Sequence, residues 1–551
     1  MYINTFEIPV LKNIFEDNYP IPLENVMQRH FLIIGETGSG KTVSIIKPLL
    51  KAAIEYNNKD YKNSASVLVV DPKLSELKKF IKESYKDDED TLNRIIDFEE
   101  EYIFDFFEGD RDKSLEDKIE ILITLSPSFN SNNFGSRNRE WFQFASVFIR
   151  NIIQFDESVR NITGKSLWKA LEESKYISKQ ELSISDDQPY FINFKKFIDY
   201  ISTIITSAGP NREYYKIIKT ISDLIPDDEN KTDEVASNGN NEEPQENKAD
   251  EIRRPHVRSN NNFETSGDQK GKTEYKNLKE KLSASMANST PNATKPPNIS
   301  ILDEQKVGNL RGSGFLINSK SLGKETYGSI ILTLSPFVSD YSYSDLNKKI
   351  WLDPFNEYNE DKNNKKYLNV EEAILNHKII IFSPTLKISK IEGMLGTILK
   401  TKFFKFMLST YEAGKRNFPA FYISDEFHKY ITGDTITGEQ NFLDICRAYK
   451  ISCILATQSY QSLLNAVSNQ LVNYGNAENV VDIITINCAN RFFFRSQDPK
   501  LKNLIRSIVP EKPGYPHVID VRPLASLEVG QCYYTLANGK WGIKKINLLQ
   551  N

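Results

Sequence analysis

Residues 31–42 read FLIIGETGSGKT, a short apolar run followed directly by a glycine-rich loop. The apolar residues 31–34 predict a buried strand, and residues 43–53 predict a helix whose first turn contains the end of the loop. A strand, a loop of the GxxxxGKT type and a helix together form a unit that binds phosphate groups. The stretch therefore predicts a phosphate-binding loop in its required structural context.

Each part of the loop has a task in such a site. Three glycines let the backbone wrap closely enough for its N–H groups to point at phosphate oxygens. Lys41 is expected to reach the β and γ phosphates as a point charge, and the Thr42 hydroxyl to ligate Mg²⁺. ATP and Mg²⁺ are thus the predicted cofactors. The predicted nucleotide-binding residues are Gly35, Glu36, Thr37, Gly38, Ser39, Gly40, Lys41 and Thr42.

Further apolar runs predict more strands, with amphipathic stretches such as residues 391–411 between them. These strands are predicted at residues 67–70, 378–382, 420–423, 453–456 and 491–494. Short continuous apolar strands between helical stretches indicate a parallel sheet that is covered on both faces. The sequence therefore predicts the α/β class, with a mainly parallel sheet that begins near the loop and resumes in the second half of the chain.

The centre of the chain has a different pattern. Residues 140–155, EWFQFASVFIRNIIQF, carry apolar side chains at helical spacing, so a mainly helical insertion is expected from about residue 110. From about 226 to 300 the sequence is polar and charged, and we expect a disordered loop because such a segment buries too little apolar surface to offset its ordering entropy. The predicted divisions are 1–110 and 346–551 for one α/β domain, and 111–345 for an inserted all-α domain.

An acidic pair follows the predicted strand 420–423. Hydrolysis needs an acid that organises the metal and a base that activates water, in addition to a phosphate loop. Asp425 could hold the water shell of the metal, and Glu426 could orient the attacking water. Pairs of this kind are common on solvated surfaces, but their place after an apolar strand in a chain with a phosphate loop favours the catalytic interpretation.

Two more polar residues lie near the next predicted strand. Gln458 follows its end, where an amide could bond the γ-phosphate or the water, although glutamine at such a place is otherwise a capping or turn residue. Arg447 lies just ahead of the strand, where it could complete the site of a neighbouring subunit as an arginine finger or form a surface salt bridge. The predicted catalytic residues are Lys41, Glu426, Gln458 and Arg447, and the predicted metal ligands are Thr42 and Asp425.

Composition limits the remaining possibilities. Lys and Arg (70) nearly balance Asp and Glu (74) in the 551 residues, so any contact with DNA must be local. The four cysteines form no CxxC pair and suggest no zinc cluster with the five histidines, which favours buried thiols in a reducing compartment. The N-terminus does not resemble a signal peptide, and no apolar run approaches the ~18 residues that a membrane span needs. We expect a cytoplasmic protein that is at most peripherally attached to the inner membrane, through a partner.

Together these segments resemble the coupling-protein ATPases of conjugation and type IV secretion (TraD/TraG-like), within the HerA–FtsK group of ring-forming motors. The resemblance covers most of the chain outside residues 226–300. Its segments, in chain order, are GETGSGKT, VVDPKLSEL from residue 69, the aromatic helix around Trp141, TYGSIILTLSPFVSDYS from 326, the helix through 394–395, DEFHKY from 425, CRAYKISCILATQS from 446 and NRFFFRSQDP from 490.

The resemblance implies a RecA-like nucleotide-binding domain that carries an inserted all-α domain. It also implies a hexameric ring with ATP at the subunit interfaces and single- or double-stranded DNA, or protein, in the channel. By position, Lys41 and Thr42 would hold the phosphates and Mg²⁺, while Asp425 and Glu426 would form the second acidic motif. Gln458 would sense the γ-phosphate, and Arg447 would act on the neighbouring subunit.

Two departures from the family pattern keep other hypotheses open. Many members carry two membrane-spanning helices ahead of the phosphate loop, for which Gly35 comes too early, and the usual DPKGEL-like segment is longer here (residues 71–77). The leading hypothesis is a DNA motor or coupling ATPase with a secretion-channel or relaxase partner. The alternatives are a soluble HerA-like motor that acts with a nuclease or defence partner, and a substrate adaptor that nucleotide merely switches.

Overall fold

The computed structural model of the chain describes residues 29–56, 64–72, 75–98, 102–107, 119, 122–123, 126, 136–177, 188–206, 212–226, 300–317, 324–342, 344–356, 365–384, 390–412, 414–432, 438–468, 474–508, 522–537, 539 and 541–546. The predicted disordered loop at 226–300 lies almost entirely outside these residues. Within them, no helix is both long and apolar enough to cross a membrane.

The described strands are numbered in chain order: β1 (Phe31–Ile34), β2 (Ser66–Val70), β3 (Ile95–Asp97), β4 (Tyr102–Asp105), β5 (Ile350–Trp351), β6 (Lys366–Tyr367), β7 (Ile379–Phe382), β8 (Ala420–Ser424), β9 (Ile451–Thr457), β10 (Asn490–Phe494), β11 (Gln531–Thr535) and β12 (Trp541–Lys545). In the described part of the chain, nine of them form one sheet in the order β12-β11-β10-β1-β9-β8-β2-β7-β3. Every pairing from β10 to β3 is parallel, and β11 and β12 are added antiparallel to β10.

The central strands are buried on both faces. On one face, Ile33, Val69 and Ile423 belong to the same apolar cluster as the helix Lys47–Ile54. On the other face, side chains such as Leu68 and Tyr422 are also fully buried. Burial of one such aliphatic side chain stabilises the fold by roughly 1.5–3 kcal/mol. The central strands therefore contribute much of the stability of this unit. Burial on both faces explains their continuous apolar sequences.

The described helices, in chain order, are Lys47–Ile54, Glu76–Ser84, Glu89–Leu92, Ser136–Thr163, Leu167–Glu172, Tyr190–Thr206, Arg212–Leu224, Ile301–Gly308, Gly314–Ile317, Lys324–Ser342, Ser344–Asn347, Val370–Leu375, Lys390–Glu412, Glu439–Cys446, Tyr460–Ser468, Tyr474–Asn487 and Pro499–Ile508. The first is preceded by a π-helical turn, Thr42–Ile46, and 3₁₀ turns occur at Phe427–Lys429, Arg447–Tyr449 and Arg522–Ser526. A second, smaller sheet joins β4 in parallel to β5 and β6.

The chain divides into two compact units. Unit 1 comprises residues 1–150, 185–198 and 330–551, and it contains both sheets. Unit 2 comprises residues 151–184 and 199–329, where every described regular element is helical. The predicted α/β class with a mainly parallel sheet is confirmed. The predicted divisions at residues 110 and 345 stay a prediction.

Candidate functional site

The phosphate loop starts between the ends of two strands. The Gly35 N–H donates to the Thr457 carbonyl oxygen at the end of β9 (3.2 Å), and the Glu36 N–H donates to the Arg495 carbonyl oxygen after β10 (2.9 Å). A Cβ atom on Gly35 would lie 2.5 Å from the Cβ of Phe494, which is closer than real Cβ atoms approach. Glycine is therefore required where the loop leaves β1.

The end of the loop is braced by the turn that precedes β11. Gly40 has φ +98°, in the left-handed region that favours glycine, and a Cβ there would lie 2.8 Å from the Gly530 nitrogen. The Gly530 N–H donates to the Ser39 carbonyl oxygen (3.0 Å). Contacts from distant parts of the chain thus fix the loop at both ends, while Thr37 and Gly38 are exposed at its tip.

The acidic pair lies close to this loop. β9 lies between β1 and β8, so three neighbouring parallel strands end at one edge of the sheet. Asp425 follows β8 there, is 1% exposed and accepts a hydrogen bond from Thr42 Oγ1 through Oδ2 (3.3 Å). The two predicted metal ligands, which are far apart in sequence, are therefore in contact.

Glu426 lies in a constrained conformation beside Asp425. Its backbone is left-handed (φ +59°, ψ +42°), which costs a residue other than glycine roughly 1–2 kcal/mol. The side chain is buried, and Oε1 accepts a hydrogen bond from Gln458 Nε2 (2.9 Å). Oε2 is buried without a hydrogen bond to any described residue. Strain of this kind is concentrated at functional sites.

Lys41 supplies the positive charge of the site. Its side chain is only 4% exposed, and Nζ donates to the carbonyl oxygens of Gly35 and Glu36 (3.1 Å to the latter). The next residue, Thr42, carries the hydroxyl that the sequence predicts as a metal ligand. An ammonium, a hydroxyl, two carboxylates and an amide at neighbouring strand ends are the groups that phosphoryl transfer requires.

Arg447 lies at the other end of β9. It starts the 3₁₀ turn Arg447–Tyr449, directly ahead of the strand, whereas Gln458 follows the strand's last residue. Seven residues of strand span about 23 Å, at roughly 3.3 Å each. The structure therefore brings Lys41, Thr42, Asp425, Glu426 and Gln458 together and places the backbone of Arg447 at the opposite edge of the sheet.

Buried contacts join Thr432 to the helix Glu439–Cys446, which leads to Arg447. Lys400 Nζ, on the helix Lys390–Glu412, forms an ion pair with Glu439 and donates to Thr432 Oγ1 (3.0 Å). Glu439 Oε2 in turn accepts from the Thr432 N–H (2.7 Å). Removing one partner of such a pair leaves a buried charge uncompensated, so the pair fixes the start of the helix that leads to Arg447.

Two residues beside Glu426, His428 and Thr457, were not among the predicted site residues. His428 Nδ1 lies 3.0 Å from Thr457 Oγ1 and 3.6 Å from Glu426 Oε2. The sequence signal for this contact is weak: His428 follows the acidic pair within the DEFHKY segment, but where its side chain lies depends on the turn Phe427–Lys429.

A cluster at the opposite edge was also not expected. The four cysteines are buried thiols, as predicted, but Cys446 and Cys453 lie beside His30, with their ligand atoms all within 4.8 Å of one another. The Cys453 N–H donates to His30 Nδ1 (3.1 Å), and His30 Nε2 lies 3.3 Å from Cys446 Sγ. The sequence spacing of these residues gives no sign of the cluster.

Comparison with known families identifies the chain. Residues 16–307, more than half of the 551, match the family described as "Helicase HerA, central domain". The chain belongs to this family. The predicted resemblance to the HerA–FtsK group is thereby confirmed, and the phosphate loop lies inside the matched region of this HerA-family chain. Asp425, Glu426, Arg447 and Gln458 lie beyond that region.

Solved structures similar to this HerA-family chain include the bacterial conjugative coupling protein TrwBdeltaN70 (9% identity, 99% of this chain and 94% of that chain, TM-score 0.49). TrwB in complex with a non-hydrolysable ATP analogue has 11% identity over 96% of this chain and 88% of that chain (TM-score 0.47). VirB4 of Thermoanaerobacter pseudethanolicus has 11% identity over 94% and 89% (TM-score 0.34). No curated protein sequence matches the chain.

Proposed function

We propose that this HerA-family chain is an ATP-hydrolysing motor that moves DNA, either as a translocase or as a coupling ATPase. The observation that carries the proposal is the contact between Thr42 Oγ1 and Asp425 Oδ2 at 3.3 Å, which joins the phosphate loop to the acidic pair. Glu426 and Gln458 lie beside this contact, at the ends of adjoining strands.

The loop fits a nucleotide phosphate. Ser39 Oγ is buried without a hydrogen bond to a described residue, and Gly40 has the left-handed backbone that occurs in anion-binding turns of successive N–H groups. Lys41 would hold the β and γ phosphates, and Thr42 with Asp425 would hold Mg²⁺. When bound, Mg²⁺ would neutralise charge on the phosphate oxygens.

The two carboxylates of the acidic pair would have different roles. Asp425 is engaged by Thr42, so Glu426 is the carboxylate left to orient water and accept its proton. Gln458 fixes one oxygen of Glu426 and lies where its amide could also meet the γ-phosphate. Arg447, about 23 Å of strand away from Gln458, would act on the ATP of a neighbouring subunit in a ring.

The second hypothesis, an adaptor that nucleotide only switches, is less well supported. A binding-only site does not need a buried carboxylate at a strained backbone position beside the phosphate loop. A DNA motor of this kind could work with a secretion or conjugation partner or with a nuclease or defence partner, and residues outside this site would select between them.

A nucleic-acid-stimulated ATPase assay tests the proposed function. The full chain should hydrolyse ATP, and single- or double-stranded DNA should raise kcat. Sedimentation with ATP and DNA should detect a hexamer. ATP binding without hydrolysis, with and without DNA, would favour the adaptor instead, and hydrolysis that no DNA stimulates would contradict the motor.

A further inference from the structure

The chain enters a tight turn just after Glu426. The left-handed backbone of Glu426 leads into the 3₁₀ turn Phe427–Lys429, in which Phe427 is fully buried in the core. Because the ring of Phe427 enters the core, the next side chain, His428, is free to lie along the end of β9. It therefore meets both Thr457 and Glu426.

The imidazole lies between two oxygens. His428 Nδ1 is 3.0 Å from Thr457 Oγ1 and 3.6 Å from Glu426 Oε2. The second distance is longer than a hydrogen bond, but Glu426 Oε2 is the buried oxygen without a hydrogen bond to any described residue. Contacts of catalytic groups are often long in the absence of substrate and shorten in the reactive complex.

The charges around the ring favour a neutral imidazole with a proton on Nδ1. Burial lowers the pKa of His428, and the nearby Lys429 and Lys41 lower it further, while Glu426 acts in the opposite direction. A lone pair on Nδ1 would face the carboxylate oxygen and be repelled by it, whereas an N–H is attracted. A neutral donor orients a carboxylate without removing its negative charge, so Glu426 would stay basic.

We propose that His428 is a positioning residue, which holds Oε2 of Glu426 through Nδ1–H while Gln458 holds Oε1. The two contacts fix the plane of the carboxylate toward the attacking water. The same Nδ1–H is shared with Thr457 Oγ1, which accepts from it at 3.0 Å and keeps the imidazole beside the carboxylate. This inference rests on the proposed ATP hydrolysis and adds a residue to it.

The test compares three substitutions of one residue in the full chain. His428→Ala should lower kcat about tenfold, because one of the two groups that orient the base is lost. His428→Asn places an amide N–H where Nδ1 lies and should recover most of the rate, whereas in His428→Gln the N–H is one bond farther out and should not. Binding of a fluorescent ATP analogue should be unchanged in all three.

A double-mutant cycle separates positioning from general destabilisation. In a Glu426→Gln background, His428→Ala should have little further effect on the residual rate, because the group on which His428 acts is gone. If His428→Ala fails to fold, His428→Gln replaces it in the cycle. Equal losses in both backgrounds, a wild-type kcat for His428→Ala, or a His428→Asn variant as slow as His428→Ala would each overturn the inference. A wild-type chain that does not hydrolyse ATP would overturn the proposed function, whereas an active wild type with one of these results would overturn the role of His428 alone.

Discussion

The two edges of the parallel sheet, where its strands begin (the amino edge) and where they end (the carboxyl edge), hold their buried histidine and glutamate in different ways. At the carboxyl edge, Glu426 Oε2 and Ser39 Oγ are buried and make no hydrogen bond to a described residue. At the amino edge, His30 is equally buried, but both of its ring nitrogens are engaged, by the Cys453 N–H and by Cys446 Sγ. Burial alone therefore does not mark a functional site in this chain. A buried oxygen without a hydrogen bond to a described residue does not mark one by itself either, because Ser452 Oγ, near the amino end of β9, is such an atom. At the carboxyl edge two of these oxygens lie in the phosphate loop and the acidic pair.

The hydrogen bonds of the cluster formed by His30, Cys446 and Cys453 do not suit metal binding. A histidine that ligates a metal uses the lone pair of one nitrogen and donates the N–H of the other. In His30 the Cys453 N–H occupies the Nδ1 lone pair, so the proton of the neutral ring lies on Nε2 and faces Cys446 Sγ. Burial also raises the pKa of the Cys453 thiol, although metals bind thiolates. We expect this cluster to stabilise the fold and not to bind a ligand.

The largest effect is expected at the carboxyl edge. Lys41→Ala should reduce ATP hydrolysis by about 10³-fold or more, because it removes the charge that stabilises the transferring phosphoryl group. The measurement is steady-state phosphate release. Lys51→Ala, in the helix that follows the loop, is the matched control because that side chain is largely exposed and pairs with Glu55. Comparable activity of the two variants would contradict the role of Lys41.

Arg447 tests whether the amino edge can serve a neighbouring subunit. Arg447→Ala should bind nucleotide normally and hydrolyse it about 10³-fold more slowly, as expected for an arginine finger. Arg506→Ala, at an exposed arginine, should hydrolyse ATP normally. Mixing two inactive variants decides whether Arg447 acts on its own subunit or on the neighbouring one.

When Arg447→Ala and Lys41→Ala subunits are combined, some interfaces of a mixed ring contain both intact groups, so activity should return. If mixed rings form and stay inactive, Arg447 does not act in trans.

Glu426→Gln should have a smaller effect than either. The substitution keeps the size of the side chain and leaves Lys41, Thr42 and Asp425 in place, but it weakens the base, so kcat should fall about 10²-fold. ATP affinity should be retained, as measured with a fluorescent analogue. Glu478→Gln, at a surface ion pair with Lys500, is the control. An equal loss of ATP affinity in Glu426→Gln would mean that Glu426 binds nucleotide instead of activating water.

The smallest effect on activity is expected at His30. His30→Ala removes the acceptor of the buried Cys453 N–H, so the free energy of unfolding should fall by about 1–3 kcal/mol. Urea denaturation measures this loss. The kcat of the folded fraction should stay at the wild-type value.

The His30→Ala variant also tests whether the amino-edge cluster binds a metal. Stoichiometric zinc in the purified chain by elemental analysis, or a thermal midpoint that a chelator lowers in the wild type but not in His30→Ala, would make the amino edge a ligand site after all.

The sequence was most informative where strands are buried on both faces. Strands β1, β2, β7, β8, β9 and β10 were all predicted, because their continuous apolar runs stand out from the polar segments around them. β11 and β12 were missed. They form an antiparallel edge, where Trp541 and Ile543 are partly exposed and lysines follow, so no continuous apolar run exists. The strands of the small sheet, at two to four residues, are too short for a periodicity.

The candidate site shows a similar limit. Motifs located Lys41, Thr42, Asp425, Glu426 and Gln458 along the chain, but their distances depend on β9 lying between β1 and β8. That order results from pairing between distant segments, and local patterns do not encode it. His428 was missed for a local reason, since its place depends on the left-handed backbone of Glu426. Such a conformation has no sequence signature in a glutamate, which is not among the residues that favour it.

The position of β1 has a consequence for how the protein is made. Its two neighbours, β9 and β10, lie more than 400 residues later in the chain, and Gly530, which braces the phosphate loop, comes later still. A nascent chain therefore carries the apolar strand β1 without these partners until more than 400 further residues have been made. Pairing over such a sequence distance is slow and leaves apolar surface exposed. Products truncated before Gly530 lack β9, β10 or the residue that braces the end of the phosphate loop, so the loop takes its described form only after these late segments have been made.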